Sequence, residues 1–213
     1  MIKNVLFDLG NVLFDLDLSR IDTGFRQLMG ASYDQVRDQL LARRFFNLYE
    51  TGGISTEEFV HTLCHAVEPA LSPESVVAVW NSIFLDFPKA RLDMLLQLRQ
   101  THGVFLLSNI NELHADWIDD YMLRTHGLSD YRALYFDGAY YSHLIRLRKP
   151  DADAFEYVLA DAEMNPRETV FIDDVPENVA GAEAVGMSAL WKSPEVDVAQ
   201  LIKGYLAGDV RYV

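Results

Sequence analysis

The sequence predicts an α/β protein, a doubly wound parallel sheet with a small block of helices set in after the first strand. Two observations carry this. Short, wholly apolar runs recur along the chain, each ending abruptly in polar residues, and helical patterns separate them. Between about residues 16 and 87 that alternation breaks down and only helical patterns follow one another. Strands apolar on both faces belong inside a parallel sheet, and alternation with helices winds the chain across both sides of it.

Taken in order, the first run is Val5-Leu6-Phe7, closed by Asp8. The helical block follows, with patterns around Ile21 to Met29, Tyr33 to Leu41, Thr56 to Val67 and Pro73 to Phe84. Ser55-Thr56-Glu57-Glu58 reads as a capping box, and Ser72-Pro73 as an N-cap with proline at the first helical position. Ala90 to Gln100 puts Leu92, Leu95 and Leu96 on one face and stops near Gly103. The second run, Val104-Phe105-Leu106-Leu107, ends at Ser108-Asn109. Lys149-Pro150 opens another helix, with Phe155, Val158 and Leu159 at helical spacing. Val170-Phe171-Ile172 then ends at Asp173-Asp174, and a helix from Asn178 to Val185 closes at Gly186, a C-cap glycine. Ala189-Leu190-Trp191 is the last run, ahead of Lys192-Ser193. The chain thus divides into a core of residues 1–15 and 88–213 and a helical cap of residues 16–87 over the sheet's carboxyl edge.

Composition narrows the function. Of 213 residues, 18 are basic and 32 acidic, a net charge of −14. Such a chain is not drawn to nucleic acid or to an anionic membrane surface, and an anionic substrate would need a local cation. Half the residues are apolar, which argues against disorder. Cys64 is the only cysteine, so no internal disulfide forms, and a reducing compartment is expected. The apolar stretch at the start is too short for a signal peptide, and no run approaches the roughly 20 residues that cross a bilayer. A cytoplasmic protein, monomeric or homodimeric, is the expectation.

In open parallel sheets ligands bind at the carboxyl ends of the strands. There the sequence offers Asp8, Ser108-Asn109 and Asp173-Asp174, with Lys149 ahead of a helix. Phosphoryl transfer needs a nucleophile, hard oxygen donors for a metal, and hydrogen-bond donors with a cation for the phosphoryl oxygens. Alone, each residue has a plainer reading: a turn or cap aspartate, an N-cap serine, an exposed lysine, a solvated pair of acids. Together they fill every part. His61 and His65 flank Cys64 at a zinc-like spacing, but Thr62 stands where a metalloprotease has glutamate, so they read as ordinary helix residues. Trp80, Phe84 and Phe87 read as cap or hinge core. Asp15, Asp17 and Arg20, at the entry to the cap, either face the substrate or are salt-bridged hinge residues.

The run Phe7-Asp8-Leu9-Gly10-Asn11-Val12-Leu13 resembles the first motif of the haloacid dehalogenase superfamily. Leu107-Ser108-Asn109 resembles the second, Arg148-Lys149-Pro150-Asp151 the third and Phe171-Ile172-Asp173-Asp174 the fourth, in the family's order and framing nearly the whole chain. The stretch from Asp8 to Asp17 is most similar to a bacterial branch of sugar-phosphate phosphatases, such as those acting on glucose-1-phosphate. The phosphatase domain of soluble epoxide hydrolases is a more distant relative. The resemblance implies a Rossmann-like core with a cap and a magnesium-dependent phosphatase of a small phosphorylated metabolite, with a sugar phosphate as the substrate. It implies that Asp8 attacks phosphorus and forms an aspartyl-phosphate. Magnesium would bind Asp8, the Gly10 carbonyl and Asp174, with Asp173 acting through a water. Ser108, the Asn109 backbone and Asn11 would face the phosphoryl group, and Lys149 would neutralise Asp8 and the developing charge.

Two positions depart from the pattern. Most phosphatases of the superfamily carry, where Gly10 stands, an aspartate that protonates the leaving alcohol. A metal-bound water, Asn11, Asp15 or Asp17 are the substitutes the sequence offers. Arg146 replaces a glycine that relatives usually carry ahead of the lysine. Two other functions stay open at this level. One is a metal-free 2-haloacid dehalogenase, whose first motif has an aromatic residue and Gly-Thr where this chain has Leu9-Gly10-Asn11. The other is a non-catalytic module binding magnesium and a ligand.

Overall fold

The computed structural model describes residues 1–209. The chain opens with strand β1 (Asn4–Phe7) and passes through β2 (Asp15–Leu16) into α1 (Ser19–Met29), α2 (Tyr33–Ala42), α3 (Phe45–Glu50), α4 (Thr56–Cys64) and α5 (Pro73–Trp80). It returns through β3 (Phe84–Asp86) to α6 (Lys89–Leu98), β4 (Gly103–Ser108), α7 (Glu112–His126), α8 (Tyr131–Tyr135), β5 (Gly138–Tyr141) and α9 (Ser142–Ile145). The last elements are α10 (Ala152–Asp161), β6 (Thr169–Asp173), α11 (Pro176–Ala184), β7 (Ser188–Trp191) and α12 (Val198–Leu206).

Five strands form one sheet in the order β5-β4-β1-β6-β7, every neighbouring pair parallel. The chain winds outward from β1 in both directions, so the sheet is doubly wound. Its two faces sort the apolar runs by alternate residues, as the pleat requires. Val5, Phe7, Val104, Leu106, Val170 and Ile172 join the cluster made with α6, α7 and α12. Leu6, Phe105, Leu107 and Phe171 join a second cluster under α10 and α11. Burial on both sides explains why these runs show no alternation in sequence. Each fully buried aliphatic or aromatic side chain stabilises the fold by about 1.5–3 kcal/mol.

Helices α1 to α5 pack around a separate core of Phe25, Tyr33, Phe45, Tyr49, Phe59 and Trp80, among others. Two caps form as the sequence predicts: the Ser55 hydroxyl accepts from the Glu58 backbone N–H, and the Ser72 hydroxyl from that of Ser75. The expectation of helices alone between 16 and 87 is corrected, because β2 and β3 pair antiparallel as a short ribbon at the mouth of this block. Helix α4 ends at Cys64 rather than Val67. Helix α5 ends at Trp80, and a single tight turn over Asn81–Ile83 leads into the ribbon. Lys149-Pro150 likewise lies in the turn before α10 instead of inside its first turn.

One of the close contacts between the helical block and the sheet domain is made through a glycine. Gly52, just past α3, has φ +65°, and a Cβ there would lie 2.5 Å from the His143 carbonyl oxygen at α9. Only glycine combines that conformation with that approach. The Ser142 hydroxyl donates to the Glu50 carbonyl at 2.6 Å, so the end of α3 is fixed against the sheet's carboxyl edge.

Candidate functional site

Register builds the site. Phe7 pairs with Leu106 on one side and Ile172 on the other, so Asp8, Leu107 and Asp173 come level one residue later. The Asp8 N–H still donates to the Ile172 carbonyl at 2.9 Å, holding it on the ladder. Asp8 follows the same alternation as Leu6, and Asp173 that of Phe171, so both turn toward the α10 and α11 face. Lys149 arrives there from the turn before α10.

The Lys149 Nζ is 2.5 Å from Asp8 Oδ1 and 2.7 Å from Asp173 Oδ2, and its side chain has no exposed surface. The ammonium also sits 5.1 Å from the Phe171 ring centroid. Its backbone is held by the Asn109 amide: Oδ1 accepts from the Lys149 N–H at 2.9 Å and Nδ2 donates to the Lys149 carbonyl at 2.9 Å. Asn109 therefore positions the lysine through its side chain, a part that sequence reasoning gave only to its backbone. Asp173 is fully engaged, its Oδ2 also accepting from Asn178 at 3.0 Å and its Oδ1 from the Val175 N–H at 2.8 Å. Asp174 Oδ2 accepts from Asn11 at 3.2 Å, and Asn11 Oδ1 accepts from the Leu16 N–H at 3.1 Å. Asn11 (φ 53°) thus braces Asp174 against β2 from a left-handed conformation that asparagine tolerates.

Electrostatics follows from burial. Desolvation pushes the Asp8 carboxyl up, Lys149 pulls it back, and Asp173 and Asp174 push it up again. Burial alone would lower Lys149, but the two carboxylates outweigh it and hold the ammonium charged. Burial also raises Asp174, against the hydrogen bond from Asn11. Carboxylate oxygens of Asp8, Asp173 and Asp174 lie within 4.8 Å of one another. Lys149 takes one oxygen each of Asp8 and Asp173, leaving Asp8 Oδ2 on the Gly10 side, 3.9 Å from where a Gly10 Cβ would be. A few hard, anionic oxygens beside open space suit magnesium, which keeps part of its shell as water and substrate oxygen. Among the described residues this trio is the one cluster of that kind. His61 and His65 instead stack on each other at 4.2 Å.

A cavity of about 420 Å³ opens over these groups. Its floor carries Asp8, Gly10, Ser108, Lys149, Asp173 and Asp174, and its walls include Ile21, Trp80, Ile83 and Phe84. A Gly10 Cβ would meet Leu16 Cδ1 at 2.8 Å, so the tip of Leu16 fills the space that an acidic side chain at position 10 would enter. Asp15 pairs with Arg91 at 2.8 Å and Asp17 with Arg20 at 3.4 Å; the hinge reading fits both. Arg146 ends α9 with φ 59°, a left-handed position where glycine carries no penalty.

Sequence reasoning missed five participants: Glu50, Arg148, Asn178, Asn111 and His114. Asn111 caps α7, its Oδ1 accepting from the His114 N–H at 3.1 Å and from Trp80 Nε1 at 3.3 Å. His114 donates Nε2–H to the Trp80 carbonyl at 3.0 Å and accepts from Asn111 Nδ2 at 3.1 Å through Nδ1. Burial pushes its imidazole down to about 4, keeping it neutral. Only Arg148 had a sequence signal, as the neighbour of Lys149.

Comparison with known proteins agrees with this geometry. A family model described as haloacid dehalogenase-like hydrolase matches residues 2–186. D-ribitol-5-phosphate phosphatase of Bacteroides thetaiotaomicron is 30% identical over 188 residues, covering 87% of this chain and 89% of its own. Sesquiterpene phosphatase of Aspergillus oryzae is 27% identical over 205 residues, covering 88% of each. A haloacid dehalogenase family enzyme of B. thetaiotaomicron superposes with a TM-score of 0.87 at 31% identity, over 94% of this chain and 98% of that one. Its complex with magnesium and inorganic phosphate superposes at 0.81 and 32% identity, over 94% and 99%.

Proposed function

The chain belongs to the haloacid dehalogenase-like hydrolases, and we propose that it is a magnesium-dependent phosphatase of sugar or polyol phosphates, working through a covalent intermediate on Asp8. The observation that carries this reading is the buried Lys149 bridging Asp8 and Asp173 at the carboxyl ends of β1 and β6, with Asp174 beside them. The relatives named as phosphatases, and the related enzyme crystallised with magnesium and phosphate, support it.

In this reading a carboxylate oxygen of Asp8 attacks phosphorus as the bond from phosphorus to the leaving oxygen breaks, and the leaving alkoxide takes a proton to depart as an alcohol. Water then attacks the phosphorus of the aspartyl-phosphate, releasing inorganic phosphate and restoring Asp8. Lys149 holds Asp8 in place and offsets charge on the transferring group. Ser108 and the Asn109 N–H supply hydrogen-bond donors, and Asn109 fixes the lysine. Asp173 keeps Lys149 charged, while Asp8, the Gly10 carbonyl and Asp174 hold the metal. When bound, magnesium supplies the positive charge that draws phosphoryl oxygens into an acidic site. The helical block over residues 16–87 closes the cavity as a cap and supplies its apolar wall.

A dehalogenase is not favoured, since a metal-free reaction leaves Asp174, beside Asp8 and Asp173, without a cation to hold. The test is phosphate release from an aryl phosphate and a panel of sugar and polyol phosphates, with and without magnesium. Release that needs magnesium and vanishes in Asp8→Asn is expected. Halide release from a chloroacid, with no phosphate from any ester, would overturn the reading.

A further inference from the structure

Resting on that phosphatase reading, we infer that Glu50 and Arg148 form a leaving-group subsite that reads hydroxyls, so that the enzyme selects polyhydroxylated over plain alkyl phosphate esters.

Above its floor the cavity is lined mainly by apolar side chains, Ile21, Trp80, Ile83 and Phe84 among them, with Glu50 and Arg148 as the charged exceptions. Both ring nitrogens of His114, the other polar wall residue, are bonded within the Trp80–Asn111 knot, and Asn178 Nδ2 is held by Asp173 on the floor. Glu50 and Arg148 are bonded to each other by one contact, Arg148 Nη2 donating to Glu50 Oε2 at 3.1 Å. Each is about 70% buried, their side chains retaining 28% and 29% exposure, and Arg148 Nε is buried with no partner at all. Nε has no surface for a ligand to reach, but Glu50 Oε1 and Arg148 Nη1 take no part in the contact, so the pair has hydrogen-bonding capacity left for a ligand to complete.

The chemistry of that ligand follows from the pair. Burial raises the Glu50 carboxyl and Arg148 pulls it back; it faces the same cavity as three other carboxylates, and as a carboxylate it repels a phosphoryl group and accepts hydrogen bonds from hydroxyls. Arg148 is purely a donor. An acceptor and a donor side by side match an alcohol hydroxyl, which gives one hydrogen bond and takes another. The phosphoryl group of an ester is mostly a dianion without a proton at neutral pH, so it gives Glu50 no hydrogen bond, and an alkyl chain satisfies neither residue. Position supports specificity as well: Glu50 comes from the helical block and Arg148 from the sheet domain, directly beside Lys149. The Ser142 hydroxyl and Gly52 hold the end of α3 there, so the pair sits at a fixed distance from the reacting group.

The experiment compares a pentitol phosphate with n-pentyl phosphate, which has the same length and no free hydroxyl. For the wild type the ratio of kcat/KM should favour the pentitol ester, and in Glu50→Gln and Arg148→Met that ratio should fall about 10- to 100-fold, the range for a hydrogen bond to a charged group. Because a ratio is read, partial misfolding of a variant does not mimic the result. An unchanged ratio with equal losses on both esters would overturn the inference, since a proton donor or a merely structural pair lowers both together. The same ratio is taken by calorimetric binding to Asp8→Asn, alone and combined with Glu50→Gln. Preferential pentitol phosphate binding that depends on Glu50, with no ester hydrolysed by the wild type, would sink the phosphatase reading alone. Equal binding of both esters would sink the hydroxyl subsite alone.

Discussion

Replacing Lys149 by methionine removes the cation shared by two buried carboxylates, and the consequence can be sized from the structure. The ammonium lies 2.5 Å from Asp8 and 2.7 Å from Asp173, with its side chain wholly buried. Removing one partner of a buried ion pair costs about 3–5 kcal/mol, because the charge left behind is uncompensated. Asp173 retains Asn178 and the Val175 N–H, so the larger share falls on Asp8. Against a total stability of about 5–15 kcal/mol for a domain, this is a severe loss that still leaves folded protein to measure.

The loss carries a pH signature. Burial already raises Asp8 above its unfolded value, and without Lys149 it rises further. A raised acid stays protonated in the fold while the unfolded chain ionises. Stability therefore falls as pH climbs from about 4 toward the folded value, by up to about 1.4 kcal/mol per pH unit. Urea unfolding of wild type and Lys149→Met at pH 5.5 and pH 8, each with and without magnesium, reads this directly. The deficit should reach about 3–5 kcal/mol at pH 8, shrink at pH 5.5, and be partly restored at pH 8 by magnesium. A deficit below about 1 kcal/mol, or one equal at both pH values, would refute the electrostatic account of the site.

Gly10 and His114 give two further tests. With Leu16→Ala clearing the 2.8 Å conflict at position 10, adding Gly10→Asp should raise kcat on alkyl phosphates by about 10²-fold, the scale of general acid help; Gly10→Asp alone should gain less, and no gain from either would mean that the leaving-group proton is already supplied elsewhere. His114 is held at about 4 by burial, below its unfolded value near 6.5, so as pH falls through that window the unfolded state takes up the proton first and stability drops. The urea stability gap between wild type and His114→Gln should therefore narrow by about 2 kcal/mol between pH 7.5 and pH 5; a constant gap would contradict it.

Much of this molecule is legible in its sequence, for a physical reason. The strands that carry site residues are apolar on both faces and stop at charged or polar residues, so β1, β4 and β6 announce both themselves and their tips. Strand β5 is hidden because Gly138-Ala139-Tyr140-Tyr141 lacks an aliphatic run. The β2–β3 ribbon is hidden because strands of two and three residues set no period. Helix α7 is masked by its buried positions, His114, Ala115, Ile118 and Met122, which include a histidine and a small residue. Asn109 shows a different limit: sequence places it at the strand end, but only geometry shows its side chain clamping Lys149. Glu50 has no sequence signal, because its partner Arg148 is 98 residues away and the close approach at Gly52 that fixes it is a tertiary fact.

The net charge of −14 then acquires a local meaning. On the cavity floor Asp8, Asp173 and Asp174, when ionised, share a single buried ammonium, which leaves two negative charges uncompensated before any phosphoryl group arrives. A phosphate ester brings about two more. Lys149 is shared with two carboxylates, and Arg148 is turned to Glu50, so the lysine alone does not balance the incoming dianion. Protonation of Asp8 would relieve the repulsion, but it would also remove the nucleophile. A divalent cation offsets about half of that charge while keeping Asp8 ionised. Metal must therefore bind no later than the substrate, and ester binding to Asp8→Asn, which lacks one of the three charges, should depend less steeply on magnesium than binding to the wild type.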